Sequence, residues 1–175
     1  TKGSEFRGEV AQFLHESLEM SDSLADWTAR ILARLFRGSE LVFFPAHLPE
    51  ARNAAATILA KAIDAPTQVA HLANEAGDRL SELGYGAQVR KGDDECAFFL
   101  EQNGRRGKVV FREGRFHVGE TSDTYTTVAL RDLLDTHPGR FSPNVLLRPV
   151  VQQHLFPVAA YVGGPGEVAY WGQLK

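Results

Sequence analysis

Val158-Ala159-Ala160-Tyr161-Val162-Gly163-Gly164-Pro165-Gly166-Glu167 is the stretch on which the reading of this chain turns. Residues 158–162 form a short apolar run behind Pro157, the pattern of a strand buried on both faces. The glycines then turn the chain sharply, and Pro165 suits the opening of a helix expected over 167–174. A strand passed through glycine straight into a helix is a unit of a parallel sheet. Moving outward, Leu41-Val42-Phe43-Phe44, ended by Pro45, repeats the buried-strand pattern just after a helix. Both runs predict a parallel sheet in an α/β fold.

The rest of the chain divides by period. A weak helical repeat over 9–19 is followed by a stronger one, in which Leu24, Trp27, Ile31 and Leu35 share a face, Asp22 or Ser23 caps, and Gly38 closes. Two helices, 49–63 and 66–83, each have proline near the first turn, and Gly84 ends the second. Beyond Gly84 the period shortens. Segments 87–90, 96–101, 108–112 and 115–118 read as strands of an antiparallel meander, with Asn103-Gly104 and Glu113-Gly114 in turns that need positive φ. A meander between helical segments reads as an insertion. The expected organisation is one domain in three parts: helical core 1–84, meander 85–120, and core 121–175. Thr126 or Thr127 opens a helix that His137-Pro138-Gly139 stops.

Composition narrows the function. The 175 residues carry a formal charge of −3, which argues against a general electrostatic grip on nucleic acid or acidic lipid. Arg105, Arg106, Lys108, Arg112 and Arg115 are interleaved with acidic residues, so they read as a solvated hairpin face. Cys96 is the single cysteine, which fits a reducing compartment and reads as an inert buried thiol. No run is apolar and long enough for a membrane span, and no secretory leader is visible. A cytoplasmic protein acting on small molecules is therefore expected. The six histidines lack metal-ligand spacing, so no metal is expected.

Around Arg148 the pattern is unusual. Ser142 and Pro143 predict a helix start, with Phe141 stapled onto Leu146. Pro149 then forces that helix to kink, or to end and restart, beside Arg148. A guanidinium beside broken backbone suits a ligand bearing amine and carboxylate, although pairing with a nearby glutamate explains it as well. The amides of Gly163 and Gly164 favour an anion, but the turn has neither the dinucleotide nor the phosphate-loop spacing. Glu167 in the first helical turn would repel an anion and attract an ammonium group. The candidate substrate-binding residues are thus Asn144, Arg148, Gly163, Gly164 and Glu167, with no catalytic acid or base identified.

The run Phe141-Ser142-Pro143-Asn144-Val145-Leu146-Leu147-Arg148-Pro149, then Gln152, Ala160-Tyr161-Val162-Gly163-Gly164-Pro165, Glu167, Ala169-Tyr170-Trp171 and Gln173-Leu174 resembles the hallmark block of the bacillithiol biosynthesis cysteine-adding family. Gln153 departs from the acidic residue expected there. The resemblance implies a partial Rossmann-like parallel core akin to nucleotidyltransferases, in an internal fragment of a longer ligase that dimerises through a coiled-coil arm. It implies amide formation between cysteine and glucosaminyl malate. Because a free carboxylate resists an amine, ATP or ADP is the cofactor to expect, and the isolated fragment is expected to be inactive. The rival readings are a nucleotide-binding enzyme of the same fold with another substrate, and a non-catalytic protein-binding scaffold.

Overall fold

A computed structural model describes residue 3 and residues 5–174. The chain forms two compact units, Thr1–Ala46 and His47–Lys175, rather than one domain parted near residues 84 and 120.

In the first unit, helices α1 (Arg7–Glu19) and α2 (Leu24–Leu35) pack together. Ser23 caps α2 as expected, its Oγ accepting from the Asp26 amide at 3.1 Å. The Trp27 indole donates to Ser17 Oγ at 3.0 Å, which gives the buried Ser17 hydroxyl a partner between the helices. Gly38 takes a φ of 86° after α2, a conformation that suits glycine. Residues 41–45 adopt no regular structure, and Val42 is 91% exposed. The expected strand is absent because an extended apolar run becomes a strand only beside a neighbour that accepts its hydrogen bonds, and none of the described residues supplies one.

The second unit is built on the meander. Strands β1 (Glu95–Gln102), β2 (Arg105–Arg112), β3 (Arg115–Val118), β4 (Thr124–Tyr125) and β5 (Phe141–Pro143) form a five-stranded sheet of order β4-β3-β2-β1-β5. Every pairing in it is antiparallel. Both hairpin turns have positive φ at the expected residues, Asn103 and Gly104, then Glu113 and Gly114. Phe98 packs between Phe116 and Phe141, with ring centroids 6.3 and 6.1 Å away. Leu59 and Ile63 of α3 (Pro49–Asp64) and Leu130 and Leu134 of α5 (Thr127–Thr136) join them in one core. Thr126 caps α5, its Oγ1 accepting from Ala129 N. Helix α4 (Gln68–Glu82) packs on β1.

The α/β class holds, while the parallel core is not formed among the described residues. The meander carries the core instead of being inserted upon one, because its alternation buries Phe98, Leu100, Val109, Phe116 and Val118 on a single face. Residues 87–90 form no strand: their amides find the side chain of Gln173 instead. Residues 158–162 form none either, and Val162 is 97% exposed. Phe141 is not a staple: it is a fully buried residue of β5. The helix expected from Ser142 starts later, as α6 (Arg148–Leu155) after the short 3-10 turn Pro138–Arg140 and β5. Pro149 therefore sits in the first turn, where its missing amide proton costs nothing. Helix α7 (Pro165–Trp171) follows the glycines as expected; Lys175 lies outside the described residues.

The start of β1 also buries a charge. Glu95, 7% exposed, accepts from Lys91 Nζ at 2.6 Å and Lys108 Nζ at 2.7 Å. Burial alone would raise its pKa, but Lys108, Lys91 and the Gly92 amide outweigh that and hold it below the ordinary 4.5. A depressed carboxyl contributes stability that is full above the ordinary value and is lost as pH falls through the folded one. Glu95→Gln should cost about 2 kcal/mol at neutral pH, modest because Lys108 is more than half exposed. The cost should shrink at about pH 3. Urea midpoints at the two pH values check this; an equal cost at both would refute it.

Candidate functional site

The chain reaches the site through Asn144. Its backbone amide donates to Ala97 O at 2.9 Å, continuing the β5 pairing. Its side-chain Oδ1 then accepts from the amides of Leu146 at 3.0 Å and Leu147 at 3.1 Å, an Asx turn that swings the chain into α6. Asn144 is 4% exposed. These bonds fix the start of α6, where Arg148 stands.

Arg148, the first residue of α6, meets α7 across the intervening loop. Its Nη2 donates to Glu167 Oε1 at 2.8 Å and to Tyr170 Oη at 2.5 Å. Tyr161 Oη donates to the same Glu167 oxygen at 2.9 Å, and the Gly164 amide to Glu167 Oε2 at 3.3 Å. The latter is half of a capping box, with the N3 glutamate reaching back to the start of α7. So Arg148, Gly164 and Glu167 are brought together, as the sequence reading required. They meet as an ion pair rather than as two separate arms.

The electrostatics follow from these bonds. Hydrogen bonds from Tyr161 and Arg148, then the Gly164 amide, hold the Glu167 carboxyl below its ordinary value. Burial opposes the Arg148 charge, yet bonds to Tyr161, Glu167 and Tyr170 raise its pKa overall. Burial and then the Glu167 carboxylate push the Tyr161 phenol up. The pair stays charged near neutrality, with both side chains 40 to 45% exposed.

Aromatic packing frames the pair. The Tyr161 ring stacks on Trp171, with centroids 4.3 Å apart and planes 16° from parallel. Gly163 makes that possible: a Cβ there would lie 2.8 Å from Tyr161 Cε1 and 3.2 Å from Glu167 Cβ. Gly163→Ala should push the Tyr161 ring off Trp171, cost about 1–2 kcal/mol, and shift the tryptophan fluorescence. Unchanged fluorescence would show that Gly163 plays no part in the stack. Beside the cluster lies a groove of about 670 Å³ lined by Ile58, Pro149, Val150, His154, Trp171 and Leu174. The Trp171 Nε1 is buried there with no acceptor among the described residues.

Tyr161, Tyr170 and Trp171 belong to the block of resemblance but were not expected in the site itself. The missed signal was Glu167 and Tyr170 at i,i+3 on α7, which puts carboxylate and phenol on one helical face. Cys96 is 1% exposed, and burial, then the charges of Asp94 and Glu95, push its thiol up to about 12; it takes no part here. Among the described residues no histidine, cysteine, aspartate and glutamate group is placed to hold a metal. No helix among them is long and apolar enough to cross a membrane.

Comparison with known proteins places these features. A "Putative cysteine ligase BshC" of Bacillus cereus is 28% identical over 170 residues, covering 97% of this chain and 32% of the relative. Proteins of the same name from Desulforamulus reducens and Bacillus cytotoxicus are each 30% identical over 171 residues, with the same coverage. The chain thus spans about a third of the length of the curated relatives it matches. The family profile described as "Bacillithiol biosynthesis BshC, N-terminal Rossmann-like domain" matches residues 1–175. Carrying the block that builds the Arg148 cluster and matching that profile along its whole length, the chain belongs to the bacillithiol biosynthesis BshC family, as its N-terminal Rossmann-like domain.

Proposed function

We propose that this chain is the substrate-gripping domain of a carbon–nitrogen ligase that joins cysteine to the amine of glucosaminyl malate. The observation that carries this reading is the convergence of Arg148, Tyr161, Gly164, Glu167 and Tyr170, all from the block of family resemblance, into one hydrogen-bonded cluster. A half-exposed ion pair can be opened by a zwitterion of matching charges. The amino acid's carboxylate takes the place of Glu167 on Arg148, and its ammonium takes the place of Arg148 on Glu167. Tyr170 and Tyr161 then keep hydrogen bonds to the same two protein groups, so the exchange leaves neither charge unpaired.

Activation of the carboxyl is expected to need ATP or ADP. The glycine turn does not fit a nucleotide phosphate, because Glu167 already occupies the Gly164 amide and sets a carboxylate at the start of α7. No step through a nucleotide is therefore derived from these residues. We further propose that in a protein of the relatives' length residues 41–44 and 158–162 each pair with strands from elsewhere, giving the parallel, nucleotidyltransferase-like core. Their exposure supports it, since apolar runs so bare are normally covered. A cytoplasmic homodimer completes the proposal.

The test is a mass spectrum of thiol products from the full-length protein given cysteine, glucosaminyl malate and ATP. A product heavier than glucosaminyl malate by one cysteinyl group is expected. Nucleotide turnover without that product would instead favour another substrate.

A further inference from the structure

A second charged cluster lies on the open edge of β5. The Asn144 amide donates to Ala97 across the pairing and Ser142 stands opposite Phe99, so the alternation of an antiparallel ladder turns the carbonyls of Phe141 and Pro143 away from β1. Both outward carbonyls are taken by arginines. Arg52 Nη1, from the first turn of α3, donates to Phe141 O at 2.5 Å. Arg106 Nη2, from β2, donates to Pro143 O at 3.1 Å, while its Nε reaches Ser142 Oγ at 2.9 Å and its guanidinium lies 3.8 Å over the Phe99 ring.

The two side chains are held, yet their charges are not answered. Among the described residues neither makes an ion pair, a state they share with Arg7, Arg37, Arg79, Arg105, Arg115 and Arg140; what sets these two apart is that both bond carbonyls of the same strand. Burial and then the charge of Arg106 lower the Arg52 pKa, with Glu101 acting the other way from outside ion-pair reach. Leu48 gives α3 no side-chain cap, so the helix end adds positive potential, although Glu50 stands in its first turn. Capping two carbonyls needs only neutral donors. Two guanidiniums bonded to carbonyls two residues apart on one strand, with Arg106 exposed, keep further N–H groups that an oxygen anion can accept from.

We propose that Arg52 and Arg106 form a binding site for an oxyanion, a carboxylate or phosphate group, at the outer edge of β5. The site is separate from the Arg148 cluster and does not depend on the ligase reading. Calorimetric titration of the intact protein with inorganic pyrophosphate, and separately with malate, at constant ionic strength tests it. Binding of one or both is expected; pyrophosphate alone marks a phosphate site and malate alone a carboxylate site. Arg52→Gln and Arg106→Gln, which keep an N–H for the carbonyls, should each weaken binding about tenfold or more, and Arg105→Gln should not. No binding of either anion, or equal weakening by Arg105→Gln, overturns the proposal. Should a glutamine variant fail to fold, the Nε resonances of Arg52 and Arg106 in the unaltered protein decide the matter: they shift on adding the anion if the site exists and stay fixed if it does not.

Discussion

Gln173→Ala is expected to lower the stability of the unit His47–Lys175 by about 3 kcal/mol or more. The residue is 2% exposed, and the hydrogen bonds of its side chain all run to backbone. Oε1 accepts from the amides of Gln88 and Val89, each at 2.9 Å, and Nε2 donates to Ala73 O at 3.1 Å and Val89 O at 2.8 Å. Truncation strands those groups where water reaches poorly, and a buried unsatisfied polar group costs about 1–3 kcal/mol. The fit is tight: a Cβ on Gly77 would come within 2.9 Å of Nε2. Gln173→Glu, equal in size, should cost nearly as much because it sets an acceptor against two carbonyls. Urea midpoints measure both. A change in Gln173→Ala within about 0.5 kcal/mol, the usual range of a surface substitution, would show that the loop over 86–91 is held by something else.

On the proposed function, Arg148→Ala should reduce kcat/KM of the full-length protein about 100-fold, expressed mainly as a raised KM for cysteine. The fold should barely notice. The pair is almost half exposed, so solvent screens it and it adds little to stability. Arg148→Lys should not restore activity, because an ammonium that keeps the Nη2 bonds to Glu167 and Tyr170 lacks the planar pair of N–H groups that grips a carboxylate in two places. Steady-state kinetics with an unchanged melting midpoint is the expected pattern. Full activity in Arg148→Ala would remove Arg148 from the site and take the zwitterion exchange with it.

How much of this was legible depended on whether the information was local. The helices were readable because caps and period are short-range: Ser23, Thr126, Pro49 and Gly84 all act where the sequence pattern puts them. The hairpins were readable because Asn103-Gly104 and Glu113-Gly114 carry their own turn geometry. The strands over 41–44 and 158–162 failed because a strand is a property of two segments, and composition reports only one. Phe141 was misplaced for a related reason: Ser-Pro suits a helix start, but pairing of Phe141 with Leu100 and burial against Phe98 outweigh that preference. At the site, the approach of Arg148 to Glu167 was expected, while their direct pairing with Tyr161 and Tyr170 was visible only in three dimensions.

The burial of Cys96 has a chemical consequence. Its sulfur stays protonated at any physiological pH and is sealed inside the core, so it offers no nucleophile to oxidised cysteine, nitrosating agents or peroxide in its surroundings. A domain proposed to handle thiols thereby escapes mixed-disulfide formation with its own cargo.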